Sequence, residues 1–187
     1  MELPKDPAIS IEDYLAMEPE EGVRYEWVEG AIYAMSGGTP RHAAVISNVL
    51  IELGGQLRGS GCRATSADQR VHCEMTRSYL YPDVTVVCGP YELASDGLSV
   101  RNPAVVVEVL SPSTATHDLV RKFDHYRRIP TLQCVLYVQP DDPYVVCFRR
   151  DGARWIREDY TDGAVPLHPE GIELTFPAIY ADLDVIP

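Results

Sequence analysis

Along this chain the apolar residues switch between two periods, and each switch marks an element. From Arg41 to Arg58, Val45, Ile46, Val49, Leu50, Leu53 and Leu57 recur at three- and four-residue spacing. That spacing predicts a helix, weakened in its last turn by Gly54 and Gly55. "SIEDYLAM" predicts a short first helix with Ser10 as N-cap and Asp13 where a capping box places an acid. "CRATSADQRVHCE" and "YLYPDVTVVCG" each read as a strand, and "PAVVVEVL" as a strand buried on both faces. A helix then runs from about His117 to Arg128 and stops before Pro130. "LQCVLYVQ" is another buried strand, and "IELTF" a strand-like piece near the end. Strand-like residues flank Glu29-Gly30 and Asp151-Gly152, which predicts two hairpins. The sum is an α/β or α+β domain with a mixed central sheet flanked by helices, one domain over residues 1–187.

Within the valine strand, alternation sets Val106, Glu108 and Leu110 on one face and Val105, Val107 and Val109 on the other. A carboxylate buried alone there costs several kcal/mol or is neutralised. Glu108 therefore calls for a cation, a basic side chain, or a strand end that reaches water. Asp83 follows Pro82, and a proline inside a strand pattern marks a start, an edge or a bulge. If the two strands pair, Asp83 and Glu108 lie side by side and raise each other's pKa unless a cation holds them. Asp118, Lys122 and Tyr126 fall on one stripe of the following helix. Lys5 and Lys122 are the two lysines of the chain, against fourteen arginines. A lysine's pKa can be tuned where an arginine's cannot. An ordinary Asp118–Lys122 surface pair is the competing explanation.

Composition narrows the classes. The net charge is −12, which argues against tight, indiscriminate nucleic-acid binding without excluding a local basic patch. Arg121, Lys122, Arg127 and Arg128 form one basic group, and Arg149, Arg150, Arg154 and Arg157 another; solvated faces explain both equally well. The five cysteines form no C-x-x-C pair, so buried thiols are expected rather than disulfides or zinc. His72 and Cys73 are adjacent on a strand and point to opposite faces, which leaves little for thiol or zinc chemistry. No apolar run approaches a membrane span and the start lacks signal-peptide features, so a cytoplasmic protein is expected.

Taken together, "YEWVEG", His42, "YPDVTVVCG", "VVVEVLSPST" and "DLVRKFDHYRRIPTLQ" resemble the Uma2 family, restriction-endonuclease-like proteins of the PD-(D/E)XK nuclease superfamily. The resemblance runs from the first helix to the tail. It implies a restriction-endonuclease-like fold and a divalent-metal site holding Mg²⁺ or Mn²⁺. By that resemblance Asp83 and Glu108 are metal-binding acids, the Val109 backbone carbonyl a further ligand, and Glu26 the N-terminal glutamate of the site. The superfamily's usual lysine position is Leu110 here; the family's helix-borne lysine corresponds to Lys122, and Tyr126 to its tyrosine, lining the site or packing. His42 matches a helix-start histidine, for which capping suits better than ligation, since magnesium prefers oxygen. Many relatives carry an acid at Cys134, expected here to be a core residue.

The implied activity is metal-dependent hydrolysis of DNA phosphodiester bonds by a homodimer. The alternative is a catalytically inactive protein that keeps the nuclease scaffold for binding, motivated by the acidic charge.

Overall fold

The computed structural model describes residues 8–17, 22–35, 38–111 and 115–186, with the side chains of 115–120 outside the description. The "SPST" segment beyond Ser111 and the Asp118 side chain therefore lie outside the described residues. In chain order the elements are α1 (Ile11–Ala16), β1 (Arg24–Val28), β2 (Ala31–Met35), α2 (Pro40–Gln56), β3 (Cys62–Ser66), β4 (Val71–Cys73), β5 (Ser78–Leu80), β6 (Val84–Cys88), β7 (Pro103–Val109), α3 (Ala115–Tyr126), β8 (Cys134–Gln139), β9 (Tyr144–Asp151), β10 (Arg154–Tyr160), β11 (Ala164–Pro166), β12 (Glu173–Thr175) and α4 (Phe176–Ile179).

A six-stranded sheet, ordered β10-β9-β8-β7-β6-β3, forms the centre, and it is mixed because β7 and β8 run parallel while the other pairs are antiparallel. Parallel neighbours need a crossover, and α3 supplies it. Val105, Val107 and Val109 face α2, where Val45, Val49, Leu53 and Leu57 complete one core with α4. Val106 and Leu110 face the other way, onto Tyr126 of α3 and onto Val28, Val71 and Leu80 of a second sheet. That sheet has the order β2-β1-β5-β4. Its outer face carries Trp27 and Tyr79 against Tyr14 of α1.

The hairpins form as expected. Glu29 (φ 52°) and Gly30 (φ 87°) both adopt left-handed backbone, the two-residue turn that matches strand twist. A Cβ on Gly30 would stand 2.8 Å from the Ala8 Cβ, so space as well as φ requires glycine. Ser10 caps α1 by accepting from the Asp13 N–H at 3.0 Å.

Three expectations change. "CRATSADQRVHCE" is two strands in two sheets, β3 and β4, and "YLYPDVTVVCG" breaks likewise into β5 and β6. Proline at 82 cannot donate to a ladder, and the chain crosses between sheets there. α3 begins two residues earlier than expected and ends at Tyr126. Cys62 and Cys88 form a disulfide, contrary to the expectation of thiols, because pairing of β3 with β6 makes them register partners. Cys73, Cys134 and Cys147 are free and buried, Cys134 in the core as expected.

Candidate active site

Asp83 and Glu108 meet because β6 and β7 pair antiparallel with Val84 opposite Val107, which brings the next residues on each strand together at the sheet's end. Beyond the last backbone pair, the Asp83 side chain continues the ladder: its Oδ2 accepts from the Val109 N–H at 2.7 Å. Glu108 projects toward α3, as alternation along β7 requires. Glu26 reaches the same place from β1, where its Oε1 accepts from the Tyr81 N–H at 2.8 Å. The three carboxylate residues are only 6–7% exposed, so each needs compensation.

Lys122 supplies it. Its Nζ lies 3.0 Å from Glu26 Oε1 and 3.2 Å from Glu108 Oε1. The Tyr126 hydroxyl, one turn further along α3, donates to Glu108 Oε1 at 2.6 Å. The strand-borne acids and the helix-borne lysine thus converge, and Lys122 is paired with acids from two strands. The first basic group of the sequence is accordingly no continuous patch: Lys122 is inside, Arg127 pairs with Asp124, and the Arg121 guanidinium lies over the Tyr33 ring.

Three carboxylates against one ammonium leave the cluster near −2 if all ionise. Burial is the main cause that pushes Glu108 up to about 8, with Lys122 opposing it and Asp83 and Glu26 adding to it. Burial likewise raises Asp83, against the Val109 N–H and His42. Burial disfavours the Lys122 ammonium, but Glu108 and Glu26 beside it outweigh that and hold its pKa above the ordinary lysine range. The cluster therefore keeps its ammonium and resists full ionisation of its acids.

His42 behaves differently from expectation. Its backbone N–H is capped by Thr39 Oγ1 at 3.2 Å, while its ring Nε2 sits 2.8 Å from the Val109 carbonyl oxygen. The expected carbonyl ligand thus already has one partner, and a carbonyl oxygen carries two lone pairs. The Val109 carbonyl was expected from the family resemblance, but the Tyr81 and Val109 N–H groups that hold Glu26 and Asp83 were not recognisable, because backbone groups carry no residue-type signal.

The donor set, carboxylates with a nearby carbonyl, is hard oxygen, which suits Mg²⁺ or Mn²⁺ over zinc. Among the described residues no three His, Cys, Asp or Glu are arranged to hold a metal as they stand. That fits a cation that takes one or two carboxylates and completes its shell with water and phosphate oxygens. An added charge of +2 would also neutralise the cluster.

Comparisons with known proteins agree with this architecture. A crystal structure from Anabaena variabilis, described as "a putative nuclease belonging to DUF820", matches over 92% of this chain and 97% of its own with a TM-score of 0.73 at 19% identity, a likeness of fold. The uncharacterized protein slr1290 of Synechocystis sp. is 31% identical over 179 residues, 95% of this chain and 94% of that protein. A second Synechocystis protein, sll1609, also uncharacterized, is 30% identical over 127 residues, 67% of this chain and 72% of its own. Residues 11–180 match the family described as "Putative restriction endonuclease", and the chain belongs to that family, Uma2.

Proposed function

We propose that the protein is a divalent-metal-dependent endonuclease that hydrolyses DNA phosphodiester bonds. The observation that carries this reading is the buried pairing of Glu26 and Glu108 with Lys122, with Asp83 close enough to Glu108 to raise its pKa. The cluster carries an excess of acid and a strongly perturbed carboxyl, Glu108, and such perturbed groups gather at functional sites. Asp83 and Glu108 would hold the ion, with Glu26 and the Val109 carbonyl beside it. Bound there, Mg²⁺ or Mn²⁺ supplies Lewis acidity toward the scissile phosphate and its attacking water.

The chain's own groups do the rest. Tyr126 fixes the Glu108 carboxylate in one orientation through its short hydrogen bond. Lys122 donates its N–H groups to the phosphate oxygens on which charge accumulates in the transition state. The sheet end and α3 exclude bulk water, which strengthens both interactions. A homodimer would present two such sites, one for each DNA strand.

A second reading has one observation in its favour. Lys122 already satisfies Glu26 and Glu108, so the cluster is internally paired and could serve a non-catalytic scaffold. Plasmid cleavage with Mg²⁺ or Mn²⁺ separates the two. The nuclease reading expects cleavage by the wild type, and losses of at least about 100-fold in Glu108→Gln and Lys122→Met. Equal cleavage by all three, or no cleavage and no Mn²⁺ binding by calorimetry, removes it.

A further inference from the structure

The Val109 peptide is held from both sides by side chains. Asp83 Oδ2 takes its N–H at 2.7 Å, and His42 Nε2 lies 2.8 Å from its carbonyl oxygen. A carbonyl only accepts, so Nε2 must carry the ring proton, which fixes the tautomer or the charged state of His42. The same Nε2 is 3.8 Å from Asp83 Oδ2, so the ring stands against the acid as well as the peptide.

The position of that ring depends on a residue with no side chain. A Cβ built on Gly38 would sit 2.6 Å from His42 Cγ and 3.0 Å from its Cβ, closer still to Nδ1. The ring is rooted in the first turn of α2, whose N-cap is Thr39, so it has little freedom to retreat. Gly38 has no left-handed φ to explain its identity; contact with the imidazole does.

We propose that His42 is a positioning residue of the site, which aims the Val109 carbonyl and steadies Asp83, and that Gly38 is glycine to admit its ring. This rests on the nuclease reading for its consequence: a carbonyl left unaimed is a poorer partner for the divalent ion. Groups that orient metal-site ligands typically change metal affinity or activity by about 10–100-fold when removed.

The test uses the full chain and Mn²⁺ as probe. His42→Ala and Gly38→Ala each weaken Mn²⁺ binding in calorimetry by about 10–100-fold. His42→Gln, whose amide N–H reaches the same carbonyl, recovers most of that loss. A role confined to stability would instead lower Tm in all three and leave the affinity of the folded protein unchanged. Wild-type Mn²⁺ affinity in both alanine variants overturns the proposal.

A second readout needs no metal. In the wild type, ring ¹⁵N shifts place a proton on His42 Nε2 and that proton exchanges slowly; in Gly38→Ala the protection is lost. If the wild type neither binds Mn²⁺ nor cleaves DNA, the nuclease reading fails by itself. Loss of the ring proton's protection in Gly38→Ala then still supports the positioning role, and its retention overturns it.

Discussion

Glu108 shows what it takes to keep a carboxylate in a valine strand. Its oxygens are held by an ammonium and a phenol, and its pKa is nonetheless pushed up to about 8 by burial. Glu108→Gln removes the charge and keeps the shape, so the metal-free protein should melt a few degrees higher while cleavage is lost. Differential scanning calorimetry and the plasmid assay check both halves. Tyr126→Phe strips Glu108 of its short donor and should cost about 1–2 kcal/mol in urea unfolding. Asp96 gives the opposite sign of pKa shift. Burial would raise it, but hydrogen bonds from Ser99 and Leu98 and the Arg70 guanidinium at 2.8 Å bring it to about 2. A depressed carboxylate contributes stability above its unfolded pKa, about 3.9, and loses that contribution as pH falls through the folded value. Asp96→Asn should therefore be less stable than the wild type by about 1–3 kcal/mol at neutral pH. That gap should close between about pH 4 and pH 2, as read from paired thermal melts. Glu108 and Lys122 could be picked out from the sequence, one as a charge among valines and the other as a rare lysine in an arginine-rich chain. His42 was legible as a helix-start histidine, but its ring contact was not, because the partner is a peptide carbonyl.

The elements were legible where periodicity is long and pure. α2, β7, β8 and both hairpins stand where the apolar pattern and the turn residues put them. Partition of the strands between sheets was not legible. The break at Tyr81-Pro82-Asp83 and that between Ser66 and Val71 are crossings from one sheet to the other, and a sequence pattern records alternation but not the partner. The Cys62–Cys88 bridge was missed for the same reason, since only pairing makes those residues neighbours. The β1–β2 hairpin links element to site because it carries Glu26. Gly30→Ala brings both a strained φ and a clash with Ala8. It should cost about 1–3 kcal/mol by chemical denaturation, and it should weaken Mn²⁺ binding as the Glu26 strand shifts.

At the scale of the whole molecule, the net charge of −12 limits how the proposed nuclease would hold DNA. Many arginines that might have formed basic patches are engaged internally or with neighbours. Arg149 pairs with Glu158, Arg157 with Asp159, Arg70 with Asp96 and Arg24 with Asp68. Arg150 donates to the carbonyls of Leu132 and Ile129 just past the end of α3. These pairings reduce the cations that the described residues offer for counterion displacement, so DNA association should depend weakly on salt, with a log–log slope of about −2 to −3. Fluorescence anisotropy across a salt series measures this; a much steeper slope would mean a basic surface that these pairings do not leave.

The parallel crossover has one more consequence. Glu26 and Glu108 sit on strands and Asp83 just ahead of β6, while the ammonium rides on α3, the helix between the parallel strands β7 and β8. Each residue inserted or deleted ahead of Lys122 in that helix would swing it about 100° around the axis and leave every strand in register. A single-codon insertion or deletion there would thus carry Lys122, and Tyr126 with it, away from Glu108 while β7 and β8 keep their pairing.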